Sequence, residues 1–138
     1  MFSVSARTQY AIRAMVCLAR AEGRQLTTAE IAAAEQIPPK YLEGIMTALK
    51  NAGLVSGERG KHGGFRLLKA PADIPMLRII EALDGSVMPV NCVHTPDLCS
   101  LGCSCMPRQF WIGLKDVIDA YMRDHSLQDI AEGNDHGH

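Results

Sequence analysis

A capped helix, a tight turn and a second helix, followed directly by a basic glycine-rich hairpin, predict a winged helix-turn-helix, mainly α with one small β-hairpin. A long amphipathic segment near the C-terminus adds a dimerisation helix to that fold. With 138 residues and 47% hydrophobic content, the chain has the size and apolar share of one domain with its own core. The expected layout is a single unit over 1–131 and a disordered tail at 132–138. Within the unit lie the helix-turn-helix at 28–51, the wing at 55–68, a cysteine loop at 86–106 and the long helix at 107–125.

Each element has a local reason. Residues 5 to 22 read as the first helix, with Ser5 placed to cap it and Gly23 to end it. Tyr10, Ile12, Ala14, Met15, Val16, Leu18 and Ala19 give it an apolar surface wide enough to be pressed between other elements. Cys17, inside that run, reads as a small buried hydrophobe. Thr27-Thr28-Ala29-Glu30 forms a capping box, flanked by Leu26 and Ile31 as a hydrophobic staple, and opens a short helix to about Glu35. Pro39 suits the first position of a third helix, in which Leu42, Ile45, Met46 and Leu49 recur at i, i+3, i+4, i+7. Gly53 is its stop, and its other face presents Lys40, Tyr41, Glu43, Thr47 and Lys50.

Two strands, Leu54 to Arg59 and Gly64 to Leu68, flank the turn Gly60-Lys61-His62-Gly63. Asp73 to Leu83 reads as a further helix, opened by Pro75 and closed by Gly85. Residues 86 to 106 have no usable period and hold four of the five cysteines. A loop of that length in a compact domain is either functional or disordered, and the cysteines argue for function. From Pro107 to about His125, Phe110, Trp111, Leu114, Val117, Ile118 and Tyr121 recur at a spacing of three and four. That stripe is larger than so small a domain covers, so it reads as a contact with a second copy. Ser126 to Ala131 adds a short closing segment.

The net charge of −1 hides a polarity. Residues 1–69 carry ten Lys/Arg against five Asp/Glu, whereas residues 70–138 carry four against ten. A basic half suits a polyanionic partner. No apolar run approaches the roughly 20 residues of a membrane helix, and the first ten residues lack an apolar signal core. The expected compartment is the cytoplasm, without a membrane partner. There, five cysteines point to metal binding or redox sensing rather than disulfides. No nucleophile–base pair or phosphate loop suggests an enzyme.

The second helix of a helix-turn-helix enters the major groove, where side chains near its N-terminus reach base edges. Here those are Lys40, Tyr41 and Glu43. Lys40 suits phosphate or guanine, Tyr41 suits phosphate, and Glu43 can accept from the cytosine amino group. A glutamate on such a surface repels phosphate, which makes it a base reader. Thr28, at the start of the preceding helix, is placed to donate to phosphate. The wing supplies Arg59, Lys61, His62 and Arg66, with Arg59 positioned to enter a narrow minor groove.

The cysteines are spaced Cys92-x6-Cys99-x3-Cys103-x-Cys105. Zinc ribbons present two C-x2-C-like knuckles, and this loop has none, so an iron–sulfur cluster fits better than structural zinc or a thiol switch. Cys105 stands at the mouth of the long helix, whose positive dipole end favours the thiolate.

At this point the sequence resembles, over nearly its whole length, the Rrf2 family of bacterial regulators, which includes IscR-, NsrR- and RirA-like proteins. The resemblance rests on Arg7 to Ala14, Tyr41-Leu42-Glu43, Asn51 to Val55, the wing Arg59 to Leu67, and the cysteine loop. It implies a homodimer whose long helices cross and whose two winged heads bind a roughly palindromic double-stranded operator. It also implies an iron–sulfur cluster, 2Fe–2S or 4Fe–4S, ligated by Cys92, Cys99 and Cys105, with Cys103 a fourth ligand or a bystander. The cluster-biogenesis regulators carry a histidine three residues after the last cysteine, where this chain has Arg108. The nitric-oxide sensors carry an aspartate just before the first-helix tyrosine, where this chain has Gln9.

Overall fold

The computed structural model describes residues 4–58, 63–85 and 106–133. Helix α1 spans Ala6–Arg20, and Ser5 caps it by accepting from the Thr8 amide. Glu22 and Gly23 both adopt left-handed backbone conformations, which ends the helix and reverses the chain. The next segment is a strand in all but length: Leu26 exchanges both backbone hydrogen bonds with Phe65, at 3.0 and 2.7 Å. The capping box is present in full, with Thr27 and Glu30 bonding reciprocally at the start of α2, Thr28–Glu35. Both staple residues, Leu26 and Ile31, are buried.

Gln36 closes α2 in the left-handed conformation, Ile37 plugs into the core, and Pro39 begins α3, Pro39–Asn51. The four apolar residues of α3 are all buried, as their spacing requires. Strands β1, Val55–Glu58, and β2, Gly64–Leu67, pair antiparallel with Val55 opposite Leu67 and Glu58 opposite Gly64. With the Leu26 bridge beside β2, the wing rests on a third strand-like segment that the hairpin pattern does not reveal.

The helix expected over 73–83 starts later. A 3-10 turn occupies Pro71–Asp73, Ile74 and Pro75 are extended, and α4 runs Met76–Asp84 to a cap at Gly85. Proline disfavours helical backbone in the residue before it, so Ile74 cannot join the helix. The extended pair instead bridges to the far end of the chain. Met76 donates to the His125 carbonyl and Leu127 donates to the Ile74 carbonyl, both at 2.8 Å.

Helix α5, Met106–Asp124, matches the expected long helix, and α6, Leu127–Ala131, follows it with its own capping box of Ser126 and Asp129. The closing segment is thus a helix, and its Leu127 is fully buried in the same core as α1, α3 and α4. Glu132 and Gly133, expected in the tail, still bond to Gln128 and Ile130 as the cap of α6. Helix α1 lies centrally, with Ala11, Ala14, Met15 and Leu18 buried against its neighbours. Among the described residues, no helix is long and apolar enough to cross a membrane.

Candidate DNA interface and cysteine loop

Burial of Leu42, Ile45, Met46 and Leu49 fixes the rotation of α3, so Lys40, Glu43, Thr47 and Lys50 must face outward. Glu43, Thr47 and Lys50 line an open cleft of about 510 Å³ between α3, the first residue of α2 and the inner side of the wing. Thr28, Pro39, Gly57, Glu58 and Phe65 complete its lining. Thr47 donates to the Glu43 carbonyl at 2.9 Å, which leaves the Glu43 carboxylate to whatever enters the cleft. Thr47 and Lys50 thus share a cleft with Glu43, Thr28 and the wing. Their i+4 and i+7 spacing from Glu43 is the sequence feature that identifies them.

Tyr41 sits on the flank of α3 rather than at the centre of its free face. Its ring stacks on Tyr10 of α1 with centroids 6.2 Å apart, while 45% of the residue stays exposed. Arg13 lies over the other partner's ring, 5.7 Å from the Tyr10 centroid, and Lys40 Nζ lies 4.9 Å from the Tyr41 centroid. Arg13 also pairs with Glu35 at 3.7 Å and donates to its carbonyl oxygen. The row Arg13–Tyr10–Tyr41–Lys40 ties α1 to the N-terminal turn of α3, and exposed cation–π pairs of this kind contribute about 0.5–1 kcal/mol each.

On the wing, the strand alternation separates two sets of side chains. Phe65 faces the α3 cleft, and a Cβ on Gly57 would come within 2.7 Å of its ring. Arg66 points to the opposite side, into a second cleft of about 370 Å³ shared with Arg24 and Lys69. That cleft lies toward the base of the hairpin, away from the turn. Arg59, Lys61 and His62 lie outside the described residues. So do Cys92, Cys99, Cys103 and Cys105.

What is described is how that loop is entered and left. At the entry, Asp84 accepts from the Ser5 amide at 3.1 Å and from its hydroxyl at 2.7 Å, clasping the end of α4 to the start of α1. Burial pushes the Asp84 carboxyl upward, but hydrogen bonds from Ser5 and Thr8 outweigh it and hold the group below the usual carboxylate value. At the exit, α5 begins at Met106, one residue after Cys105. Cys17 packs half-buried beside the core, as its apolar surroundings predict. Burial, and then the Glu35 carboxylate, push its thiol up and keep it protonated.

Helix α5 contributes no described side chain to the buried core. Phe110, Val117 and Tyr121 are 66%, 66% and 63% exposed, and they fall at i, i+7 and i+11 along one face. Trp111, Leu114 and Ile118 are half-buried, with Trp111 meeting Phe110 edge to face at 5.0 Å.

A profile of the Rrf2 family, described as iron-dependent transcriptional regulators, matches residues 4–133. The chain is 33% identical over 131 residues to a protein named as an HTH-type transcriptional regulator in Mycobacterium tuberculosis, covering 94% of this chain and 81% of that one. It is 30% identical over 133 residues to the transcriptional regulator IscR of Vibrio atlanticus, covering 96% of this chain and 76% of the relative. The solved structure of CymR, the global cysteine regulator of Bacillus subtilis, superposes with a TM-score of 0.78 at 29% identity, over 98% of this chain and all of that one. With a family match over nearly the whole chain and relatives of 30% identity or more, the chain belongs to the Rrf2 family of transcriptional regulators.

Proposed function

We propose that this regulator is a homodimer that binds double-stranded operator DNA in a sequence-specific manner, with an affinity set by an iron–sulfur cluster on Cys92, Cys99 and Cys105. The observation that carries the reading is where the cysteines fall. Four lie within fourteen residues, between α4, which is clasped to α1, and α5, whose apolar face is open.

The donor set fits such a group. Three thiols on one loop match the thiolate ligation of iron–sulfur centres, and Cys105 directly precedes a 19-residue helix whose dipole favours the ionised sulfur. Cys103 is a spare donor or a bystander. When bound, a cluster would supply a ligand set sensitive to iron supply, oxidants or nitric oxide.

The chain's own residues convert loop order into DNA affinity. Ligation by Cys92, Cys99 and Cys105 would tie together the segment that joins α4 to α5, and would so bias the setting of α5 against α4. A second copy covering Phe110, Val117 and Tyr121 makes that setting the spacing between two α3 helices. Lys40 and Thr28 hold backbone phosphates, Glu43 reads bases, and Arg59, Lys61 and His62 grip from the wing. A coupling of about 1–3 kcal/mol changes affinity roughly 5–150-fold, enough for a switch.

The likeness to CymR, named as a global cysteine regulator and solved elsewhere in an oxidised form, favours a second reading in which the thiols of this chain sense by oxidation without a cluster. Cys17 is a poor candidate for that role because its thiol is held protonated. Anaerobic purification with absorption spectroscopy and iron and sulfide analysis separates the two. The cluster reading expects coloured protein whose visible absorbance disappears in Cys99→Ala with the helical fold retained. Colourless protein free of iron and sulfide, with operator binding that responds to thiol oxidants, would establish the second reading instead.

A further inference from the structure

Helix α4 is hydrogen-bonded to three other parts of the molecule. At its start it meets the junction of α5 and α6 through Met76 and Ile74. At its end, Asp84 is clasped by Ser5 of α1. In its first turn, Arg78 sends its guanidinium across to α3, where Nη2 donates to the Ala52 carbonyl at 3.3 Å. Ala52 is the cap residue of α3, so its carbonyl lies at the negative end of the recognition helix, where a cation is favourable.

We infer that Arg78 is a positioning residue for operator recognition, setting the angle of α3 by anchoring its C-terminus to α4. The inference rests on the reading of α3 as the DNA-reading helix. The contact lies at the end of α3 opposite Lys40; twelve residues of helix separate Lys40 from Ala52, about 18 Å. With the N-terminal side chains in the groove, Arg78 is out of reach of the bases and acts only through the helix it holds. No other described side chain bonds this carbonyl, and the last turn of α3 is otherwise closed by its own backbone, Gly53 to Lys50 and Leu54 to Leu49, both at 3.0 Å. Because the same α4 meets α1, α5 and α6, a shift of α5 or α6 has a route to α3 through this guanidinium and the apolar contacts beneath it, beside the direct contact that α1 makes with α3 through Tyr10 and Tyr41.

The test compares Arg78→Ala and Arg78→Lys in the full-length dimer. In Arg78→Ala, specific operator affinity should fall roughly four- to twenty-fivefold for two heads, at about two- to fivefold each. Non-specific binding and the slope of log K against log salt should stay unchanged, since no phosphate contact is lost. Without DNA, amide hydrogen exchange at Ala52, Gly53 and Leu54 should quicken while the thermal midpoint holds. Arg78→Lys keeps a cation at the helix end and should recover most of the operator affinity. A salt slope reduced by about one per head would show that Arg78 touches phosphate itself, and would overturn the inference. Unchanged exchange in Arg78→Ala would overturn it equally, by showing that the residue has no hold on α3. A wild-type protein without sequence preference would refute the reading of α3 itself, and the exchange arm would still report whether the anchor exists.

Discussion

Glu43 stands exposed on α3, one turn before Thr47 and two before Lys50, beside a cleft that Glu58 also lines. Two carboxylates at a polyanion-binding surface lower affinity unless at least one of them finds a base donor. Glu43→Ala should therefore change which operators are preferred, by about 1–3 kcal/mol at one base position, more than it changes overall affinity. Binding measured across a panel of single-base operator variants checks this, and an equal change at every sequence would mean that Glu43 does not read bases. Asp84 gives a pH prediction. Its carboxyl is held below its ordinary value, so the stabilisation it provides is complete above that ordinary value. It is lost as pH falls through the lowered folded value. Asp84→Asn should accordingly lower the thermal midpoint at neutral pH and flatten the acid limb of the stability–pH curve, converging with wild type at low pH, in thermal unfolding followed by circular dichroism.

Elements whose limits are set by local chemistry were legible in the sequence. Thr27 and Glu30 cap α2, Pro39 opens α3, and both are satisfied within a few residues of chain. The start of α4 was not legible, because the pairing of Ile74 and Pro75 with the chain near Ser126 is fifty residues away in sequence. The strand-like role of Leu26 was hidden for the same reason. One consequence is a sharp constraint on Gly64, where an added Cβ would meet the Leu26 carbonyl oxygen at 2.9 Å. Gly64→Ala should cost about 1–3 kcal/mol of stability, as overpacking against backbone does, and should weaken operator binding through the wing. Chemical denaturation and a binding titration measure the two effects. Stability equal to wild type would mean that the Leu26–Phe65 bridge yields easily.

At the scale of the whole molecule, α5 is a 19-residue helix with a free apolar face, and a second copy of the same face is the partner the family implies. Val117→Asp should weaken the dimer by roughly 2–4 kcal/mol, seen by analytical ultracentrifugation, and should reduce operator affinity in parallel. An unchanged dimer would place the subunit contact elsewhere.

The sequence by itself determined the winged helix-turn-helix, the rotation of α3, the long helix and the cysteine spacing. Each is written in periodicity, caps or composition within one stretch of chain, and needs no distant partner. Only the tertiary structure decided that Tyr41 packs on Tyr10, that Arg66 faces away from the α3 cleft, that Leu127 closes the core, and that α4 joins α3 to α1 and α5. Those facts depend on which surfaces meet between elements that are distant in sequence, by 26 residues for Arg78 and Ala52 and by 79 for Ser5 and Asp84. Burial and hydrogen bonding settle that for the folded chain as a whole.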